Sequence, residues 1–331
     1  MGVGCGSARP PACRASHAAC FPGLGPVSPA RHRPPVALFA YRRDEHLRRT
    51  LEALRRTNGA AETELTVFAD GPRDDADVHN VARVRSVVLE IPGFAGVRVV
   101  ERRHNLGLAR NVLAGVDEIL ETNESVVVLE DDMLTSVHFL DYMRDALRRY
   151  ADDDRVVSVH AYQLPLKEKL PETFFLPGAD CWGWGTWGRA WRSFQREGPA
   201  LLRELEQRGL SRAFDFGGAY PYTHMLRDAV AGRVDSWAIL WYASAFLQGQ
   251  LTLYPGRSLV QNIGNDGTGR HGGRSTAFDT PLNDRPVDVA AIPIVADALA
   301  RDLMARQLVQ GRSGGIPGRM RRLVARLVSR Q

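Results

Sequence analysis

An α/β fold is predicted, with a mostly parallel sheet flanked by helices and a helical C-terminal extension. Two observations predict it. From Pro34 to about residue 161, short apolar runs alternate with longer amphipathic stretches, and each run stops at a cluster of polar residues. Strands alternating with helices pair in parallel through right-handed crossovers, with helices covering the sheet. Residues 1–33 lie outside this rhythm; they are rich in Gly, Pro, Ala and Arg, show no periodicity and are predicted to be a disordered tail.

The elements follow in order. "VALFAY" (36–41) reads as a buried strand, and the helix from about Asp44 carries Leu47, Leu51 and Leu54 on one face. "ELTVFAD" (64–70) is a second strand, followed by a helix from about Asp75 to Leu89. "VRVVE" (97–101) is a third, and the helix starting near Gly107 turns Val112, Val116 and Ile119 inward. "SVVVLE" (125–130), a helix around 136–150, and "RVVSVHA" (155–161) complete the regular part. "WAILWYASAFL" is the longest apolar stretch; it is too short to span a bilayer and is expected to be a buried helix.

Composition narrows the setting. The chain has 331 residues, 44% hydrophobic and 24% charged, as in ordinary globular proteins. A net charge of +5 and a pI near 9.2 suit a phosphate-bearing substrate or an anionic membrane surface, and nucleic acid is not expected as a partner. Lys167 and Lys169 are the only lysines, a compositional bias that leaves arginine as the available phosphate-binding cation. Cys5, Cys13 and Cys20 sit in the tail and Cys181 stands alone, which fits no zinc pattern and points to a reducing cytoplasm. The N-terminal stretch has no apolar core of the signal-peptide kind.

The run Glu130-Asp131-Asp132 ends the fourth strand. Three adjacent carboxylates repel one another, so they are either a solvated strand end or a site that binds something cationic. In the second reading, Mg²⁺ or Mn²⁺ held by one or two of them neutralises charge developing on a diphosphate leaving group, and the others accept hydrogen bonds from hydroxyls. The first strand ends in Tyr41 and Arg42, the second in Asp70, and the third leads to Asn105 and, early in the next helix, Arg110. Ligands of parallel sheets bind at such strand ends. An Asp there can hydrogen-bond a nucleobase, and a helix N-terminus with an arginine favours phosphate.

"FAYRRDEHLRRTLEALRRT", "FADGPR", "NLGLARNV" and "LEDDMLTSVHFLDYM" resemble the N-terminal half of GT-A glycosyltransferases. The Glu-Asp-Asp form of the acid motif is most similar to N-acetylglucosaminyltransferase I and its bacterial family-2-like relatives. The resemblance covers about 34–160 and thins beyond, to "FFLPGADCWGWGTW", "VDSWAILW" and "NIGNDGTGRH". It implies Asp132 as metal ligand, Glu130 and Asp131 as contacts to ribose and donor sugar, and an inverting displacement with a single base. It further implies a catalytic domain over 34–290, with a nucleotide-binding half (34–160) and an acceptor half (161–290), and a helical extension over 291–331.

The remaining motifs keep two readings each. "DCWGWGTWGRAW" (180–191) contains G-x-G-x-x-G by letter, but Trp184 and Trp187 obstruct the packing a dinucleotide loop needs. Trp182 and Trp184 are either core or an aromatic wall for a sugar ring. Asp235, before Trp237, is either a helix cap or, by the resemblance, the base that deprotonates an acceptor hydroxyl, with Asp228 and Asp215 in reserve. The glycine-rich "NIGNDGTGRHGG" (262–273) either is a mobile loop or folds over a diphosphate, with His271 completing the metal site. The basic segment "GRMRRLVARLVSRQ" has the pattern of a helix on an anionic membrane surface, or of one packed on protein.

The expected function is therefore metal-dependent transfer of a sugar from a nucleoside diphosphate, here UDP, to a glycan hydroxyl, in bacterial surface polysaccharide synthesis. A nucleotidyltransferase would share the sheet and acids but normally shows a glycine-rich loop and a lysine after the first strand, and "AYRRDEHL" has neither. A non-catalytic glycan-binding protein of the same fold is the other alternative.

Overall fold

Five consecutive apolar residues without a polar break form β1 (Val36–Ala40), buried along its whole length. The computed structural model describes residues 1–2, 33–89, 91–267 and 276–315, the side chains of 311–315 excepted. β1 runs parallel to β2 (Glu64–Ala69), which runs parallel to the outermost strand β3 (Gly96–Glu101). On its other side β1 is parallel to β4 (Ser125–Glu130), with Phe39 opposite Glu130. The crossovers are α1 (Asp44–Arg55), α2 (Asp75–Leu89) and α3 (Leu108–Leu120). Leu47, Leu51 and Leu54 of α1 and Val112, Val116 and Ile119 of α3 are buried, as their spacing predicts. Each such side chain contributes about 1.5–3 kcal/mol of burial.

After β4 come β5 (Met133–Thr135), α4 (Phe139–Arg149), β6 (Val156–His160), β7 (Thr173–Pro177), β8 (Trp184–Trp187) and α5 (Gly188–Arg192). A helical group follows: α6 (Gly198–Gln207), α7 (Ser211–Phe214), α8 (Tyr222–Val230) and α9 (Trp237–Leu247). β9 (Leu251–Pro255), β10 (Val260–Asn262) and α10 (Ala298–Gly315) close the described chain. The eight-stranded sheet has the order β3-β2-β1-β4-β8-β6-β9-β7, and β5 with β10 forms a separate antiparallel pair.

One part of this order departs from expectation. β6 does not join β4 directly, because β8 lies between them, antiparallel to both, with Trp184 opposite Val128 on one side and His160 on the other. The G-x-G-x-x-G letters are thus the middle strand of the sheet and not a phosphate loop. Its glycines admit close neighbours while its tryptophans fill the core. The Trp184 ring lies 5.8, 5.3 and 6.2 Å from those of Trp191, Trp237 and Trp241.

A smaller core beside the main one gathers Leu201, Leu205, Phe214, Leu226 and Ile239 from α6 to α9. α9 is the buried helix expected of "WAILWYASAFL". No helix of the described residues is long and apolar enough to cross a membrane. Residues 3–32 of the N-terminal tail, His271 and the basic C-terminal segment lie outside the described residues.

Candidate active site

The register of β1 against β4 decides which side chains meet at the C-terminal edge of the sheet. With Phe39 opposite Glu130, the residues leaving β1 pass beside Asp131 and Asp132. Both aspartates are buried, at 4% and 6% exposure. Arg43 Nη2 donates to Asp131 Oδ1 and, at 2.7 Å, to Asp132 Oδ2. The Tyr41 amide donates to Asp131 Oδ2 at 3.4 Å, and Thr50 Oγ1 donates to the Asp131 carbonyl at 2.8 Å. Asp132 Oδ1 is buried without a hydrogen-bond partner.

The electrostatics follow from this crowding. Burial pushes the Glu130 carboxyl well up, and the charges of Asp132 and Asp131 push it further. Burial also raises Asp131, while Arg43 pulls it back. Burial disfavours the charge of Arg43, but Asp131 and Asp132 outweigh it and hold the guanidinium protonated beyond arginine's ordinary range.

The pairing of β5 with β10 sets Asn262 opposite Met133 and so brings the start of the glycine-rich loop onto the acids. The Ile263 amide donates to the Asp132 carbonyl at 2.9 Å. A Cβ on Gly264 would run into Asp132 Oδ2 and Arg43 Nη1, so only glycine lets the backbone lie there. Farther along the loop, Asp266 Oδ2 comes within 3.1 Å of His46 Nε2 on α1.

Asp70, at the mouth of β2, binds protein on all sides. Oδ1 accepts from the amides of Gly71 (2.9 Å) and Leu106 (2.8 Å), and Oδ2 accepts from Asn105 Nδ2 (2.9 Å) and the Gly107 amide (3.0 Å). Two acceptor sites per oxygen are thereby filled. In this structure Asp70, expected to contact a nucleobase, and Asn105 shape the loop that leads into α3. Arg110 is exposed on the first turn of that helix. Tyr41 donates its hydroxyl to Asp77 Oδ2, and Arg42 Nη1 donates to Asp77 Oδ1 at 3.1 Å. Burial and that hydrogen bond to Asp77 push the Tyr41 phenol up to about 12.

Asp235 is exposed and is not the cap of α9; Ser236 is, its hydroxyl accepting from the Ile239 amide at 3.5 Å. A Cβ on Gly107, whose φ is +78°, would lie 3.1 Å from Asp235 Oδ2. The carboxylate therefore stands at the N-terminus of α3, beside the loop that Asp70 holds. Of the reserve acids, Asp215 accepts from the Thr223 amide at 2.6 Å, and Asp228 accepts from Arg233 Nε at 2.8 Å.

Trp184, at 1% exposure, takes the core reading. Trp182 is partly exposed, its ring 4.8 Å from Tyr162 and 5.8 Å from Phe278. Beside it Tyr254 Oη donates to Asp180 Oδ2 at 2.7 Å, and burial raises Asp180. Burial also pushes the Cys181 thiol well up, with the charges of Glu130, Asp180 and Asp132 adding to it.

The sequence did not single out Arg43, Asp77, Asp180 or Gly264. Only Arg43 had a signal: an arginine leaving the strand adjacent to three acids.

A divalent cation, implied by the resemblance, fits at one protein anchor. Asp132 Oδ1 is a buried, unpartnered hard oxygen of the kind such ions take, and Mg²⁺ in phosphate sites commonly uses one or two carboxylates plus substrate oxygens. Among the described residues no group of three or more His, Cys, Asp or Glu is arranged to hold a metal.

No protein-family model and no curated protein sequence matches the chain. Parts of solved structures are similar to it. The mannosyltransferase PcManGT from Pyrobaculum calidifontis, in complex with GDP-Man and Mn²⁺, shares 18% identity over 40% of this chain and 36% of its own, with a TM-score of 0.30. The galactosyltransferase LgtC, in complex with donor and acceptor sugar analogs, shares 12% over 66% of this chain and 72% of its own, with a TM-score of 0.35. S. aureus TarS shares 12% over 76% of this chain and 41% of its own, with a TM-score of 0.38. Likenesses of this size establish neither family nor activity for the chain.

Proposed function

We propose that the protein is a metal-assisted, inverting glycosyltransferase that moves a sugar from a nucleoside diphosphate to a glycan hydroxyl. The observation that carries the reading is the pair of adjacent buried carboxylates, Asp131 and Asp132, at a strand mouth, with one Asp132 oxygen left without a partner. A strand end that was merely solvated would have no reason to bury them.

Asp132 would anchor the cation, whose chemistry is to neutralise the diphosphate as it leaves. Glu130 and Asp131 would meet ribose and donor sugar, and the exposed Arg110 and the N-terminus of α3 would favour the phosphates. Asp235, at the same helix end, would accept the proton of the acceptor hydroxyl as that oxygen attacks the anomeric carbon. Trp182 supports the acceptor side as a half-open ring between Tyr162 and Phe278. UDP as the nucleotide, the likeness to N-acetylglucosaminyltransferase I, and a bacterial surface polysaccharide as product rest on the motif resemblance alone.

The experiment is a thermal-shift screen of the full chain against UDP-, GDP- and dTDP-sugars with Mn²⁺, followed by donor hydrolysis with and without chelator. A stabilising donor present at a hundred times its Kd adds about 2.7 kcal/mol. Stabilisation by one nucleotide class, with chelator-sensitive hydrolysis, supports the reading. Stabilisation without hydrolysis makes the protein a non-catalytic binder, and no response to any donor removes the reading.

A further inference from the structure

Arg43 occupies the oxygens that a cation would otherwise share. One guanidinium nitrogen bridges Asp131 Oδ1 and Asp132 Oδ2, and the Gly264 backbone closes against both Asp132 Oδ2 and Arg43 Nη1. The Arg43 side chain is 21% exposed and those of the acids are 5% and 9% exposed, so the three charges are largely withdrawn from water. Charge-assisted hydrogen bonds of this kind are the strong ones, and breaking a withdrawn pair leaves an uncompensated charge.

From this arrangement we propose that Arg43 is an internal counter-ion that a divalent cation must displace, and that the donor's diphosphate receives the displaced guanidinium. The inference rests on the glycosyltransferase reading, since it needs a diphosphate. Its consequence is coupling. A cation arriving alone competes with a positive charge already in place and strands Arg43 without an anion. A diphosphate arriving with it removes that penalty, because arginine pairs readily with phosphate. Linkage makes the effect reciprocal: the factor by which the nucleotide tightens the cation equals the factor by which the cation tightens the nucleotide. Arg43 thus makes cation uptake conditional on donor, with Asp132 Oδ1 a buried acceptor open beforehand.

The test reads bound Mn²⁺ directly. The full chain is titrated with Mn²⁺, with and without UDP, and free Mn²⁺ is followed by electron paramagnetic resonance. Wild type should bind Mn²⁺ weakly alone and at least about tenfold more tightly with UDP, within the usual range of coupling between sites. Arg43→Gln should bind Mn²⁺ alone about tenfold more tightly than wild type and lose most of the response to UDP. A folded Arg43→Gln chain with wild-type Mn²⁺ affinity and an unchanged UDP response overturns the proposal. If the variant is too unstable to titrate, its melt decides: Mn²⁺ alone should raise its Tm more than that of wild type, and a melt that Mn²⁺ does not move overturns the proposal. Wild type that takes up neither Mn²⁺ nor UDP removes the glycosyltransferase reading itself, and this inference with it.

Discussion

The two halves of the sheet end in different chemistry. β1, β2 and β4 deliver Arg43, Asp70, Asp131 and Asp132, and the order at their mouths is kept by hydrogen bonds and ion pairs. β6, β8 and β9 deliver or adjoin Tyr162, Trp182, Trp184 and Tyr254, and the order there is kept by tilted and edge-on rings. In the first half the partners come from neighbouring strand ends; in the second, Trp184 packs on rings of α5 and α9, Trp182 on Tyr162 and Phe278, and Tyr254 on His160. The difference separates two jobs. Changes in the first half should alter charge-dependent binding, and changes in the second should alter packing. Asp235 is the exception, carried by the second half of the chain yet standing against Gly107 in the first.

That exception gives the largest expected effect. Asp235→Asn should reduce turnover by roughly 10²–10⁴, the usual contribution of a positioned base, while leaving UDP and Mn²⁺ affinity in place. Steady-state rates beside calorimetric titration of UDP would show it. Early melting with normal activity per folded molecule would assign Asp235 to structure and return the division of jobs to a simple one.

Next comes the aromatic side. Trp184→Ala removes a ring packed against Trp191, Trp237 and Trp241 and should destabilise the chain by about 3–5 kcal/mol. Urea unfolding measures the loss, and UDP affinity of the folded protein should not follow it. If affinity fell in step with stability, the two halves would be one cooperative site and the comparison would break.

Legibility divided along the same line. β1 to β4 and α1 to α3 could be read because each is a local pattern: an uninterrupted apolar run, or Leu47, Leu51 and Leu54 one turn apart. The acid run was legible as three adjacent carboxylates at a strand end for the same reason. β8 was not, because Trp184-Gly185-Thr186-Trp187 is too short and too rich in glycine to read as a strand, and its place between β4 and β6 is set by partners distant in sequence. Arg43 stood in plain view among several arginines, but its two carboxylates become neighbours only once β1 pairs with β4. Asp70 was legible as a strand-end acid and illegible as a loop clamp, because two of its partners are the backbone amides of Leu106 and Gly107. Asp77 looked like any acid in the first turn of a helix.

Asp70→Asn sharpens the charged half. The amide keeps the shape but turns one acceptor into a donor that faces other donors, so about 1–3 kcal/mol of stability should be lost through unsatisfied groups. The loop from Asn105 to Gly107 should loosen, and hydrogen exchange at the Leu106 and Gly107 amides should rise selectively. Uniform exchange across the sheet would mean that the loop does not depend on this carboxylate.

The smallest effect probes how dry the aromatic half is. His160 on β6 is 2% exposed, lies between the rings of Tyr162 and Tyr254, and has an Nδ1 without a hydrogen-bond partner. Burial lowers its pKa to about 3, against about 6.5 in an unfolded chain. Above pH 6.5 neither state is protonated and the histidine adds no pH dependence. Between pH 6.5 and about 3 the unfolded chain takes up a proton that the folded chain refuses, so stability falls as pH falls, by about 1.4 kcal/mol per pH unit. Other groups titrate in this range with either sign: burial-raised Glu130 and Asp131 favour the folded state on acidification, and the lowered Asp77 and Asp153 oppose it. The histidine is therefore read by difference, from urea unfolding of wild type and His160→Phe at pH 7, 6 and 5. The gap between the two curves should shift in favour of the variant as pH drops below 6.5. A gap that stays constant down to pH 5 would show that His160 keeps its proton uptake when folded, and that this half of the sheet admits water or an acid partner as the other half does.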